Sequence, residues 1–224
     1  MLGYGSYKDW KTREIPDTLW LLFSIIAIVI IIPIEIIIDF SLNNLYMMLI
    51  SIGITTIISI VLYYFGFFGG ADMKALIVLS LLLPIYLPSR YIHPLLPIMS
   101  FTNAIFITAS FALGFFIYNV LTRYLLRKNI FNGFEKEPIW KKIIVSFLGF
   151  RASRVRKDSF YMSLEKIVDD EKKLDISLMS EDEDFASGED MWVTPGIPLL
   201  IFITIGFIVS VVYGDFLTLI VHFP

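Results

Sequence analysis

Two acidic residues have the type and setting for hydrolytic chemistry. Asp72 stands in Phe67-Phe68-Gly69-Gly70-Ala71-Asp72-Met73-Lys74, where one long apolar run ends and another begins. The 32 residues between Asp39 and Asp72 carry no charge, and the chain turns apolar again after Lys74. An aspartate at the centre of a membrane helix costs about 2.5–3.5 kcal/mol on insertion scales, so an acid kept in such surroundings is a functional candidate by default. The glycines beside it remove side chains and let backbone or substrate approach closely. The second acid is Asp9, in Lys8-Asp9-Trp10-Lys11-Thr12-Arg13-Glu14-Ile15-Pro16-Asp17. Two carboxylates held together in a low dielectric resist ionising together, so one keeps a proton and the pair titrates as a unit. Such a pair deprotonates a water with one member while the other protonates or polarises a peptide carbonyl, which is peptide-bond hydrolysis without a cofactor. Each acid also has a plainer role open to it. Asp9 fits a solvated interfacial acid in a run of charges, and Asp72 fits a helix-start acid complementing the dipole.

The elements that must position these acids follow from composition and run length. Of 224 residues, 57% are apolar and 20 are Phe. With a mean hydropathy of +0.76, this points to an all-α, polytopic membrane protein, since backbone facing lipid must satisfy its hydrogen bonds within helices. The chain has no Cys, which excludes disulfides and thiol chemistry, and its two His lie 129 residues apart, so no metal centre is expected. Residues 1–8 contain neither the n-region nor the h-region of a signal peptide.

Apolar runs predict spans over about 18–38, 45–65, 75–89, 102–126 and between Asp190 and Asp215. Pro16 suits the first turn of the first of these and Asp17 its positive dipole end, while Pro33 should kink its far end. The run over 75–89 holds Pro84 and Pro88 and is expected to be a short, bent span reaching toward His93. The organisation expected is a transmembrane region over 1–126 carrying both aspartates, a small mixed α/β insert domain over 127–192, and a last transmembrane helix over 193–224. Within the insert, Phe160 to Val168 reads as a strand or a short helix. The insert begins basic and ends acidic, with Glu181-Asp182-Glu183-Asp184 reading as a solvated linker or as a steering surface for a basic substrate.

Crossing the membrane once per span sorts the charges. Of the 18 Lys and Arg, 17 fall on one side and only Arg90 on the other, so the side holding 1–17, 66–74 and 123–192 is predicted cytoplasmic. Asp9 and Asp72 are separated by two spans, an even number, and are expected to emerge at the same cytoplasmic interface. Lys74 and Arg13 read as headgroup anchors.

These residues resemble a known family. Asp9 with Arg13, Ile15-Pro16 and Asp17 is similar to the first catalytic motif of the type IV prepilin peptidases, and Gly69-Gly70-Ala71-Asp72 is similar to their Gly-x-Gly-Asp motif. Ala71 at the third position of that motif, the insert before the last span and the lack of Cys pairs resemble the archaeal branch, the preflagellin (archaellin) peptidases. The resemblance implies an intramembrane aspartic endopeptidase that uses Asp9 and Asp72 as its catalytic pair, with no cofactor. It implies about six transmembrane helices in the cell membrane, with the active site and insert facing the cytoplasm. The family has a full helix before its first aspartate, and only eight residues precede Asp9, so the first helix is expected to be truncated. The implied partner is a preflagellin or pilin-like precursor whose short basic leader is cut after a Gly. No nucleic-acid partner is expected.

Two other classes compete on the residues alone. A transporter or proton pathway would use Glu35, Asp39 and Asp215, although these map to the far interface and no internal repeat is visible. A membrane anchor for the insert domain is the other.

Overall fold

A computed structural model describes residues 1–38, 41–87, 92–125, 127, 129–156, 160–168, 171–176, 185–196 and 198–221. Asp39, Arg90, His222 and the acidic run at 181–184 lie outside the described residues. The chain divides into two compact units, Met1–Thr108 with Pro198–Pro224, and Ala109–Ile197.

The first unit is helical: α1 (Leu2–Thr12), α2 (Asp17–Ile26), α3 (Ile32–Ile38), α4 (Leu42–Tyr64), α5 (Gly70–Leu82), the first part of α6 (Leu96–Leu125), then α8 (Leu199–Val212) and α9 (Leu217–Val221). Among the described residues, three helices are long and apolar enough to cross a membrane: Asp17–Ile34, Leu42–Tyr64 and Leu96–Leu125. The first contains a π-helical turn at Ala27–Ile31, between α2 and α3. That irregularity lies just ahead of Pro33, whose ring clashes with the carbonyl four residues back and which lacks an N–H for it. Pro16 sits one position earlier than expected, as the extended residue before Asp17 (φ −67, ψ 134).

The expected span over 75–89 differs in the structure. Its helix is α5, which starts at Gly70 and stops at Leu82. Leu83 leaves the helical region at φ −143, ψ 73, since a following proline disfavours the helical conformation. Beyond it the chain folds back instead of continuing toward His93: the Tyr86 N–H donates to the Pro94 carbonyl at 2.9 Å, and Ile85 bridges Leu95. Thirteen residues of helix rise only about 20 Å, less than the ~30 Å of a hydrocarbon core.

Buried small residues let these helices pack closely. On α4, Ser51, Thr55 and Ser59 are buried at four-residue spacing, and α4 packs on α5, whose Ala75, Leu76, Val78 and Leu79 are buried. The Ser51 hydroxyl donates to the Pro84 carbonyl at 2.6 Å and ties down the end of α5. Between α6 and α8, a Cβ on Gly206 would stand 2.2 Å from the Ser100 carbonyl oxygen, so these two backbones touch. Buried Asn103 is fully engaged nearby. Its amide donates to Ser210 Oγ and the Gly214 carbonyl, each at 2.9 Å, and its oxygen accepts from the Phe216 N–H at 2.9 Å.

The second unit carries the end of α6, α7 (Ile139–Leu148) and five strands: β1 (Phe150–Val155), β2 (Tyr161–Ser163), β3 (Glu165–Val168), β4 (Glu171–Leu174) and β5 (Gly188–Pro195). β5 lies between β1 and β2, antiparallel to both, and β3 pairs with β4. Residues 160–168 therefore make two strands, and Ile143-Ile144-Val145 lies in a helix. β5 continues past residue 192, so the sheet extends beyond the boundary expected for the insert. The unit's core gathers Ile130, Phe134, Val145, Leu164, Leu174 and Trp192. Trp192 stacks on Phe131 at 4.9 Å and donates its indole N–H to the Ile130 carbonyl at 3.1 Å.

Candidate active site

Asp72 is placed by the joint between α4 and α5. α4 ends in a Schellman turn: Gly66 adopts φ 72, its N–H donates to the Tyr63 carbonyl, and the Phe67 N–H donates to the Leu62 carbonyl, both at 2.9 Å. Glycine takes this left-handed conformation without the Cβ penalty of other residues. Phe68 then buries itself edge-on against Phe101, with ring centroids 5.2 Å apart, which anchors the loop. Gly69 is the extended cap residue of α5 (φ −71, ψ 156), and Asp72 occupies the third helical position.

The two oxygens of Asp72 differ. Oδ2 accepts the Gly69 backbone N–H at 3.2 Å, the reciprocal bond of a capping box. Oδ1 is buried and has no hydrogen-bond partner among the described residues. Gly69 leaves little space to spare, since a Cβ there would lie 3.2 Å from Oδ2. At Gly70 the nearest outside atom to such a Cβ is Tyr63 Cε2, at 3.9 Å. Ala71 is half-buried in the first turn.

Asp9 lies in the last turns of α1, whose seat is α8. Gly5 is buried against the Leu200 side chain, and the Ser6 hydroxyl bonds Thr204 Oγ1 at 2.6 Å and the Leu200 carbonyl at 3.2 Å. The helix stops at Arg13, which adopts the left-handed φ of 58 and donates its N–H to the Asp9 carbonyl at 3.2 Å. Half-buried Ile15 and exposed Pro16 carry the chain into α2. Arg13 and Asp9 attract one another, and Asp9 acts as a like charge on Asp72. Two membrane-length helices, Asp17–Ile34 and Leu42–Tyr64, lie between these acids in the chain. The fold brings the acids within electrostatic reach of each other all the same.

A second contact joins the same two places. Lys74 Nζ donates to Asp17 Oδ1 at 2.6 Å, linking the start of α5 to the start of α2. In the sequence these residues read separately, Lys74 as a headgroup anchor and Asp17 as a dipole acid. Their opposite charges at two helix starts on one predicted membrane side were the available signal. Asn103 was also passed over, although an amide in an uncharged apolar run is itself a sign of a polar partner. Of the acids assigned to a transport path, Asp215 is buried and accepts the Leu217 N–H at 2.9 Å, capping α9. Glu35 falls in α3.

The chain matches two family models: the type IV leader peptidase family over residues 1–118, and the archaeal peptidase A24 C-terminus type II over residues 141–216. A preflagellin peptidase of Methanococcus maripaludis is 31% identical over 94% of this chain and 90% of the relative. One from Methanocaldococcus jannaschii is 26% identical over 94% and 89%, and one from Methanococcus voltae 25% identical over 94% and 91%.

Proposed function

The chain belongs to the type IV leader peptidase family, and from that premise we propose that it is an aspartic endopeptidase that cuts the basic leader from preflagellin or pilin-like precursors at the cytoplasmic membrane boundary. The observation that carries this reading is the convergence of Asp9 and Asp72 from α1 and α5, with one oxygen of Asp72 buried and unpartnered. In the mechanism, the ionised member of the pair takes a proton from a water whose oxygen attacks the scissile carbonyl carbon. The protonated member donates to the carbonyl oxygen, giving a neutral tetrahedral diol. The newly protonated member then gives its proton to the leaving nitrogen while the other takes one from a diol hydroxyl, so the C–N bond breaks, the carboxyl product forms and the pair regains its single proton. The cap from the Gly69 N–H fixes Asp72 Oδ2 and leaves Oδ1 facing the water. Arg13 holds Asp9 by its charge, and Ile15 and Pro16 set the turn that brings α2 beside the pair.

The test is cleavage, in membranes, of a precursor whose basic leader ends in Gly. Asp9→Asn and Asp72→Asn should each abolish the size shift with the protein still inserted and folded. Cleavage that survives either change removes the pair from the mechanism. Ion flux without cleavage would instead favour the transport reading.

A further inference from the structure

We propose that α7 is a lipid-docked interfacial helix, whose exposed apolar face lies in the bilayer at the C-terminal end of α6 and seats the sheet-bearing unit on the membrane surface. This does not rest on the catalytic reading. Ile139, Trp140, Ile143 and Ile144 share one face of α7 at helical spacing and all are exposed, Ile139 at 76% and Trp140 at 54%. The opposite face is spent on the unit's own core through Val145 and Leu148. In water, four large apolar side chains on a single turn-and-a-half would be an uncovered patch, and such patches mark an interaction surface.

The neighbouring helix identifies what covers it. One step further along the same face, Phe147 stacks on Phe116 of α6 with centroids 4.3 Å apart. Buried Asn119 of α6 donates to the Ser146 carbonyl at 3.0 Å and the Gly149 carbonyl at 2.7 Å, so it caps the end of α7 directly on the apolar helix. α6 carries no charge until Arg123. Phe116 and Asn119 precede Arg123 by seven and four residues, which at 1.5 Å per residue places the α7 contacts roughly 6–10 Å inward of that charge. Interfacial helices sink their apolar face about 5–10 Å into the headgroup and acyl boundary. On α6, Ile117 and Leu121 are exposed as well, and they face lipid if α6 crosses the membrane. An aromatic at the rim, Trp140, suits that boundary.

The chain has no Cys, so single cysteines carrying a nitroxide report each site cleanly in the full-length protein, reconstituted in phosphatidylcholine–phosphatidylglycerol bilayers. Ile143→Cys is the probe, with Trp140→Cys as a second. Ile117→Cys on α6 is the lipid reference, and Ile167→Cys, 73% exposed on β3, is the water reference. The expected result is that oxygen accessibility exceeds that of a water-soluble nickel chelate at 143 and 140, as at 117, with the order reversed at 167. Nickel accessibility at 143 and 140 equal to that at 167 overturns the proposal. Protection from both reagents also overturns it, because a protein partner or a second copy would then cover the face.

Discussion

The oxygens of Asp72 sit in unlike surroundings, one held by a backbone N–H and the other buried without a partner among the described residues. The plain role as a helix-start acid and the proposed catalytic role therefore fall on different atoms of one side chain. This makes the glycines before it separable by mutation. Gly69→Ala places a methyl 3.2 Å from Oδ2, so the carboxylate must shift and its bond to the residue 69 N–H is strained. We expect kcat/KM for precursor cleavage to fall about tenfold, ~1.4 kcal/mol at the transition state, with thermal stability little changed. Gly70→Ala meets its nearest outside atom at 3.9 Å, an ordinary contact, and should keep activity within about twofold. Equal losses at the two positions would show that the distance to Oδ2 is not what matters. The first motif is less separable. Arg13 both ends α1 in a left-handed turn and places a positive charge by Asp9, so substituting it changes backbone and charge together.

Among the elements, α6 and α8 meet backbone to backbone. Gly206→Ala would force a methyl to 2.2 Å from the Ser100 carbonyl and 2.8 Å from the Ala104 nitrogen, both backbone atoms that cannot swing aside. The helices must separate, and overpacking of this kind costs about 1–3 kcal/mol or more. A clear drop in the detergent melting temperature should follow, whereas Gly53→Ala, with nothing within 4 Å, should not lower it. In the sheet unit, Arg151 donates from Nε and Nη2 to the two oxygens of Asp190, both at 2.7 Å, and from Nη1 to the Ile130 carbonyl at 2.9 Å. These hydrogen bonds, with the guanidinium charge, hold the Asp190 carboxyl below its ordinary value. A carboxyl lowered on folding stabilises fully above its unfolded value of about 3.9, and that contribution fades as pH falls through the lower folded value. Asp190→Asn should therefore flatten the acid limb of the unit's melting curve. At neutral pH it should cost under ~1 kcal/mol, because the side chain is 67% exposed and water screens the pair.

For the whole molecule, the inference to test is one of sides. Placing Lys8, Lys11, Arg13 and Lys74 inside requires that residues 11 and 74 share the cytoplasm and that residue 44, across one apolar helix from each, faces out. Asn44→Cys should react with a membrane-impermeant maleimide in intact cells. Lys11→Cys should react only after the cells are opened. Labelling of residue 11 from outside would reverse the orientation and move the cleavage site across the membrane. The Asp17–Lys74 pair agrees with the parity behind this assignment, since it joins the starts of α2 and α5 with two membrane-length helices, Asp17–Ile34 and Leu42–Tyr64, between them in the chain.

Hydropathy adds up along a chain, and so the membrane setting and the apolar helices at Asp17–Ile34 and Leu42–Tyr64 were readable from runs of residues alone to within a few positions. The family was readable from two short motifs, because each keeps its meaning without its neighbours in space. The end of α5 at Leu82, the division of 160–168 into two strands, and the pairing of Asp17 with Lys74 and of Asn103 with Ser210, Gly214 and Phe216 required the fold. A polar group takes whichever partner packing brings within about 3 Å, and that partner can lie a hundred residues away, where no local pattern in the chain records it.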